Sequence, residues 1–304
     1  MRALEPHITG YARNASDGVE LYYEVFGEES TRGTVLCLPT WSLVHSRVWK
    51  MQVTFLVRLG YRVVTFDGRG NGRSGRPESG YGTHDFAADA IAVLDAAGVD
   101  RAALLAFSAG GRWGAVLAVE HAPRVDRVVL IAPSVTISKP LRTLPTPFTE
   151  RPAQRDGWNK YNAVHWREDL ADFRRWFAQT IFTEPHSTKG QDDIVTWSDD
   201  ITPDMLVATV LESSMPWMRD LWPRIAQPLL VVHGDEDAVS SLQNTRELLA
   251  HLPQARLAVF EGSGHAPHVR DPVRFNLLVE EFLSSSTGVQ VREQSEGAVS
   301  HASA

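Results

Sequence analysis

The sequence holds a single cysteine, Cys37, in 304 residues. No disulfide can close within the chain, and no cluster of thiolates can hold zinc. Positive charge is short as well: 30 lysines and arginines face 37 aspartates and glutamates, for a formal net charge of -7. A nucleic-acid-binding or anionic-membrane surface needs a broad basic field, so neither nucleic acid nor membrane is expected as a partner. No apolar run approaches the roughly 18 residues that would cross a bilayer. The opening Met1-Arg2-Ala3-Leu4-Glu5-Pro6 lacks the apolar core of a secretory signal. A cytoplasmic protein is expected. There is no internal repeat, and nothing in the sequence speaks to oligomeric state.

What is present is a hydrophobic content of 43% with 22% charged residues, ordinary for a soluble globular protein. Short apolar segments alternate with amphipathic ones. Val19-Glu20-Leu21-Tyr22-Tyr23-Glu24-Val25 alternates like an antiparallel strand with one wet face, and Asp17-Gly18 before it is a hairpin turn signal. Continuous apolar runs follow at 34–38, 61–66, 102–107, 125–131, 228–232 and 255–260. Such runs suit strands of a parallel sheet buried on both faces. Helical stretches lie between them, at 83–97 and 110–121. In the first, Phe86, Ala90, Val93 and Leu94 share one face. The alternation predicts a doubly wound α/β fold with right-handed crossovers.

The pattern breaks between residues 135 and 225. That stretch contains Pro140, Pro145, Pro147 and Pro152, helical pieces at 170–177 and 203–212, and Trp158, Trp166, Trp176, Trp197, Trp217 and Trp222. It reads as a helical, aromatic insertion, a cap, between two halves of a core at 1–134 and 226–284. Whether its tryptophans face a ligand or fill the insertion's own interior stays open. Residues 285–304 are small and polar, and a flexible tail is expected there.

The chemistry begins at Leu104-Leu105-Ala106-Phe107-Ser108-Ala109-Gly110-Gly111. An apolar strand runs directly into a small-x-Ser-x-Gly turn before a helix, the pattern of a nucleophile elbow. Ser108 then sits where free helix N–H groups favour developing negative charge. The plainer reading is a glycine-rich loop with an incidental serine. A serine hydroxyl needs a base. His265 follows the 255–260 strand in Glu261-Gly262-Ser263-Gly264-His265, and glycines around it let the chain turn back over the sheet; His268 is the competitor. The imidazole needs an acid. Val232-His233-Gly234-Asp235-Glu236-Asp237 offers three, of which Asp237 matches a Gly-x-x-Asp spacing. The order is Ser108, Asp237, His265, each after a predicted parallel strand, where sites of open α/β sheets form. An oxyanion hole needs two backbone donors. Ala109, next to the nucleophile, is one; Trp41, or Thr40, in the loop Pro39-Thr40-Trp41-Ser42 is the other, because proline has no N–H. Substrate contacts are expected from Trp41, Phe107, Trp176 and Trp217.

On these residues the sequence resembles the α/β-hydrolase superfamily, from about Gly18 to Leu283. Phe66-Asp67-Gly68-Arg69-Gly70-Asn71-Gly72-Arg73-Ser74 is similar to the family's Asp-x-Arg-Gly-x-Gly-x-Ser turn, and Arg270-Asp271-Pro272 to the opening of its last helix. The resemblance implies an eight-stranded, mostly parallel sheet with a cap over Ser108. Pro39-Thr40 departs from the family's His-Gly, and Ala106 from its glycine. The core is most similar to small esterase, lactonase and perhydrolase branches. The segments at 38–41 and 182–186 also resemble hydrolase modules attached to bacterial signalling proteins. Relatives that carry their acid one strand earlier have no counterpart here, since Ile131-Ala132-Pro133-Ser134 holds no carboxylate. Dehalogenase and epoxide hydrolase branches place an aspartate where Ser108 stands.

The expected function is hydrolysis of a carboxylic ester or lactone, medium-sized and hydrophobic or aromatic, through an acyl-enzyme on Ser108. No metal or organic cofactor is expected. A carbon–carbon bond hydrolase or a perhydrolase would use the same three residues. A ligand-binding module without catalysis is the alternative of another class.

Overall fold

A computed structural model describes residues 4–28, 30–137, 143–185, 187–213 and 217–285. Eight strands form one sheet: β1 (Ile8–Arg13), β2 (Glu20–Phe26), β3 (Thr34–Cys37), β4 (Arg62–Phe66), β5 (Ala102–Phe107), β6 (Val125–Ile131), β7 (Leu229–Gly234) and β8 (Ala255–Phe260). Their order is β1-β2-β4-β3-β5-β6-β7-β8. β1 pairs antiparallel with β2, and β2 with β4; every other pairing is parallel. The fold is the expected doubly wound, mostly parallel α/β sheet. The hairpin at Asp17-Gly18 is formed, with Gly18 at φ 77°. β1 was not among the predicted strands. Its side chains are largely exposed, so it carries no continuous apolar run.

Along β5 the pleat sends Leu105 and Phe107 to one core, with α1 (Lys50–Arg58) and α10 (Pro272–Ser284). Leu104 and Ala106 face the other core, with α2 (Thr83–Ala96), α3 (Gly110–Glu120) and α8 (Leu242–Leu249). Both faces are therefore covered, which is why the strands read as continuous apolar runs. After β3 the chain moves to β4 on one side and later to β5 on the other. Such a reversal leaves a crevice at the carboxyl ends of the two strands. Here it lies between the loop after Cys37 and the turn at Ser108.

Between β6 and β7 come α4 (Ala163–Ile181), α5 (Thr188–Trp197), α6 (Pro203–Leu211) and α7 (Met218–Leu221). α4 breaks at Asp169, whose backbone is non-helical and whose Oδ1 accepts from Asp172 N–H at 3.0 Å, restarting the helix. The predicted start at residue 170 is this second half. Tyr161, Trp166, Phe173 and Phe177 form a ring cluster, and Trp158 packs edge-on against Trp176 at 5.0 Å. The two ends of the segment behave differently. Val135, Met218, Leu221, Trp222 and Ile225 are buried in the core beside α3. Of the predicted tail, only Ser285 lies within the described residues. No described helix is long and apolar enough to cross a membrane.

Candidate active site

Ser108 follows β5 with φ 54°, in the left-handed region that a non-glycine residue rarely occupies. The strain persists because neighbours fix it on both sides. Ser108 N–H donates to Ile131 O at 2.8 Å, and Ser134 N–H donates to Ser108 O at 3.1 Å, so the end of β6 splints the turn. The helix that follows packs equally close. A Cβ on Gly114 would stand 3.3 Å from the Ala106 Cβ. Alanine at 106 is tolerated because Gly114, across from it, has no side chain.

The Ser108 hydroxyl meets His265 Nε2 at 2.8 Å, and His265 Nδ1 meets Asp237 Oδ2 at 2.8 Å. The side chains of His265 and Asp237 are 2% and 1% exposed, so water does not compete for these bonds. With Asp237 as acceptor, the Nδ1 of His265 carries its proton, and Nε2 is left free to accept from the serine. The other Asp237 oxygen, Oδ1, accepts from Val239 and Ser240 N–H at 2.7 and 2.9 Å, which fixes the carboxylate plane. Burial alone would raise the Asp237 carboxyl. The charge of His265 and the hydrogen bonds from His233 and His265 outweigh it and hold the group far below the usual carboxylate range. Asp235 and Glu236 in the same loop are exposed.

The His265 loop is held from two directions. Its Ser263 carbonyl accepts from Glu236 N–H at 3.0 Å, across a contact only a glycine at 234 permits. From the segment between β6 and β7, Ile181 O accepts from His265 N–H at 3.0 Å, and Glu184 Oε1 accepts from Gly264 N–H at 2.8 Å. His268 is elsewhere. It is buried between Trp49, Phe107 and Phe275, and neither ring nitrogen has a hydrogen-bond partner among the described residues.

The loop after β3 comes against the turn at Ser108: a Cβ on Gly110 would lie 2.5 Å from the Pro39 carbonyl oxygen. Among the described residues, no acceptor takes the backbone N–H of Trp41 or of Ala109. Two conserving contacts brace this loop. Trp49 Nε1 donates to Leu38 O at 3.0 Å, and Asn71, from the Asp67–Ser74 turn, donates to Ser42 O. That turn is itself fastened by Arg69, which forks onto Asp89 at 2.6 and 2.7 Å.

The four residues expected to contact substrate do not gather in one place. The Trp41 ring is half-buried, lies 5.3 Å from Phe177 and 5.7 Å from Tyr161, and donates from Nε1 to Thr209 of α6 at 2.8 Å. It joins the loop after β3 to the aromatic cluster. Phe107 is buried behind the relay, against His265 at 5.0 Å and His268 at 4.6 Å. Trp176 packs on Trp158 and Phe173. Trp217 packs tilted on His84 of α2 at 4.6 Å and rests against the other core, without a ring contact to this cluster among the described residues. The sequence reading passes over Glu184 and His233 without giving either a role in the site. Their partners stand far off in the chain or within a loop read only for its acids. Cys37 is no rival nucleophile, since complete burial pushes its thiol far up.

The model of the alpha/beta hydrolase fold family matches residues 33–272 of this chain. A putative non-heme chloroperoxidase of Synechocystis sp. is 27% identical over 289 residues, covering 91% of this chain and 99% of that protein. A 2-hydroxymuconate semialdehyde hydrolase of Pseudomonas putida is 30% identical over 242 residues, 74% of this chain and 78% of that protein. Among solved structures, an esterase of Exiguobacterium antarcticum superposes with a TM-score of 0.77 at 22% identity, covering 91% of this chain and all of that one (100%).

Proposed function

The chain belongs to the α/β-hydrolase fold family, and from that premise we propose that it hydrolyses a carboxylic ester or lactone through an acyl-enzyme on Ser108. The observation that carries this reading is the unbroken run of hydrogen bonds from Ser108 through His265 to Asp237, each 2.8 Å long. Ser108 Oγ attacks the carbonyl carbon as its proton passes to His265 Nε2. Charge then develops on the former carbonyl oxygen, and the N–H groups of Ala109 and Trp41 receive it. Asp237 stabilises the imidazolium. When the tetrahedral species collapses, Nε2 returns the proton to the departing alkoxide. In a lactone that hydroxyl stays tethered to the acyl chain. Water next gives a proton to the same nitrogen as it attacks the acyl carbon, and that proton passes to Ser108 Oγ when the acyl–oxygen bond breaks and the acid is released.

The helices between β6 and β7 serve as the cap. Trp41 ties them to the oxyanion loop, and Glu184 ties them to the His265 loop. The aromatic side chains on this side favour a medium-sized hydrophobic or aromatic acyl group. A carbon–carbon bond hydrolase is the second reading, favoured by the Pseudomonas putida relative at 30% identity. A panel of aryl esters, lactones and vinylogous 1,5-diketones, run with wild type and Ser108→Ala, separates the two. Turnover of esters or lactones that Ser108→Ala abolishes supports the proposal. Turnover confined to the diketones overturns it in favour of the second reading.

A further inference from the structure

Asp237 Oδ2 has two imidazole neighbours, His265 Nδ1 at 2.8 Å and His233 Nε2 at 3.1 Å. His233 is completely buried at the end of β7. Its Nε2 lies 3.1 Å from the Ser240 carbonyl oxygen as well. Both neighbours of Nε2 accept only, so that nitrogen carries a proton. Nδ1 meets the Thr245 hydroxyl of α8 at 3.0 Å. With the proton on Nε2, Nδ1 is the acceptor and Thr245 donates to it. The polar chain thus runs Ser108, His265, Asp237, His233, Thr245, all but its first member buried.

We propose that His233, held in its Nε2–H tautomer by Thr245, is a positioning residue that draws charge from Asp237 and so sets how readily His265 holds a proton. The proposal rests on the hydrolytic reading of Ser108. A carboxylate shared between two donors offers less negative charge to each. Without His233, all of the Oδ2 charge falls on His265, the imidazolium is favoured, and the base becomes free only at higher pH. The other groups around this pair are accounted for. His268 of α9 (Pro267–Arg270) approaches His265 across Phe107, Glu184 binds the backbone at Gly264, and Asp235 and Glu236 are solvated on the same loop as Asp237.

The test measures the rate at which a fluorophosphonate labels Ser108, as a function of pH, in the full chain. His233→Leu removes the donor, Thr245→Val removes the group that fixes the tautomer while keeping its shape, and His233→Gln offers an amide N–H near the lost Nε2. His233→Leu is expected to move the acid limb up by about one pH unit. Thr245→Val shifts the limb in the same direction by less, and His233→Gln restores it. Nitrogen-15 NMR of the wild type should show His233 as the neutral Nε2–H tautomer. An unmoved limb in folded His233→Leu or Thr245→Val overturns the proposal, as does an Nδ1–H tautomer or an imidazolium at neutral pH. Should His233→Leu fail to fold, Thr245→Val and the spectrum decide. Wild type that never labels overturns the hydrolytic reading itself, a result distinct from an unmoved limb.

Discussion

Gly110 and Pro39 are in backbone contact: a Cβ on Gly110 would stand 2.5 Å from the Pro39 carbonyl oxygen. Two elements remote in sequence, the start of α3 and the loop after β3, are set against each other by the absence of one carbon. Gly110→Ala must push that loop away from Ser108, taking the Trp41 N–H with it. Loss of one oxyanion donor costs about 10²-fold or more in kcat. The variant is expected to fold, to lose about 1–3 kcal/mol by overpacking, and to fall in kcat with little change in KM. Wild-type turnover by Gly110→Ala would show that the loop does not supply a donor.

Asp237→Asn is expected to reduce turnover by about 10⁴-fold, because an amide neither stabilises the imidazolium nor selects the needed tautomer. Asp235→Asn, two residues away and exposed, should leave it near wild type. Steady-state kinetics on the two purified variants checks this. Equal losses would mean that the acid has been assigned to the wrong residue.

His268 gives the protein a built-in acid sensitivity. Burial, aided by the nearby charge of His265, pushes its pKa down to about 3. An unfolded histidine titrates near 6.5 (about that in model peptides). Between these values the unfolded chain binds a proton at this position and the folded chain does not. Stability is therefore intact above about pH 6.5 and is lost as pH falls toward 3, by up to about 1.4 kcal/mol per unit. Urea unfolding at pH 7 and pH 5 should find that His268→Leu narrows its stability gap to wild type at the lower pH by about 2 kcal/mol. A gap independent of pH would contradict the burial of a neutral imidazole.

The aromatic cap predicts a preference by acyl length. Each buried methylene contributes about 0.8 kcal/mol. Four of them would raise kcat/KM on the order of a hundredfold if the contact is kept in the transition state. Aryl esters from acetate to hexanoate measure this. Trp158 packs on Trp176 and Trp41 on Trp166, so the test asks whether an acyl chain finds room beside them. A steady fall from acetate onward would mean that the cluster is filled and leaves only a small acyl site.

Much of this site was legible because its parts are local. A serine in a small-x-Ser-x-Gly turn, a Gly-x-x-Asp after β7 and a histidine between glycines after β8 each declare themselves within a few residues, and the parallel sheet brings strand ends together. What was not legible depends on contacts across the chain. Glu184 reaches Gly264 over 80 positions. His233 looks like one more apolar-strand residue until Asp237 and Thr245 are seen on either side of its ring. Position alone groups Trp217 with the other insertion tryptophans, yet its ring packs on His84 of α2. β1 escaped notice because an exposed edge strand needs no apolar run. Ala106 read as a departure from the elbow, and its compensation, Gly114, lies eight residues on in the facing helix.

The central claim is that Ser108 is the nucleophile, and stoichiometric labelling with a fluorophosphonate tests it most directly. Intact-mass analysis should find one adduct per wild-type chain, peptide mapping should place it on Ser108, and Ser108→Ala, folded by circular dichroism, should take up none. Folded wild-type protein that stays unlabelled, or an adduct that persists in Ser108→Ala, would contradict the account.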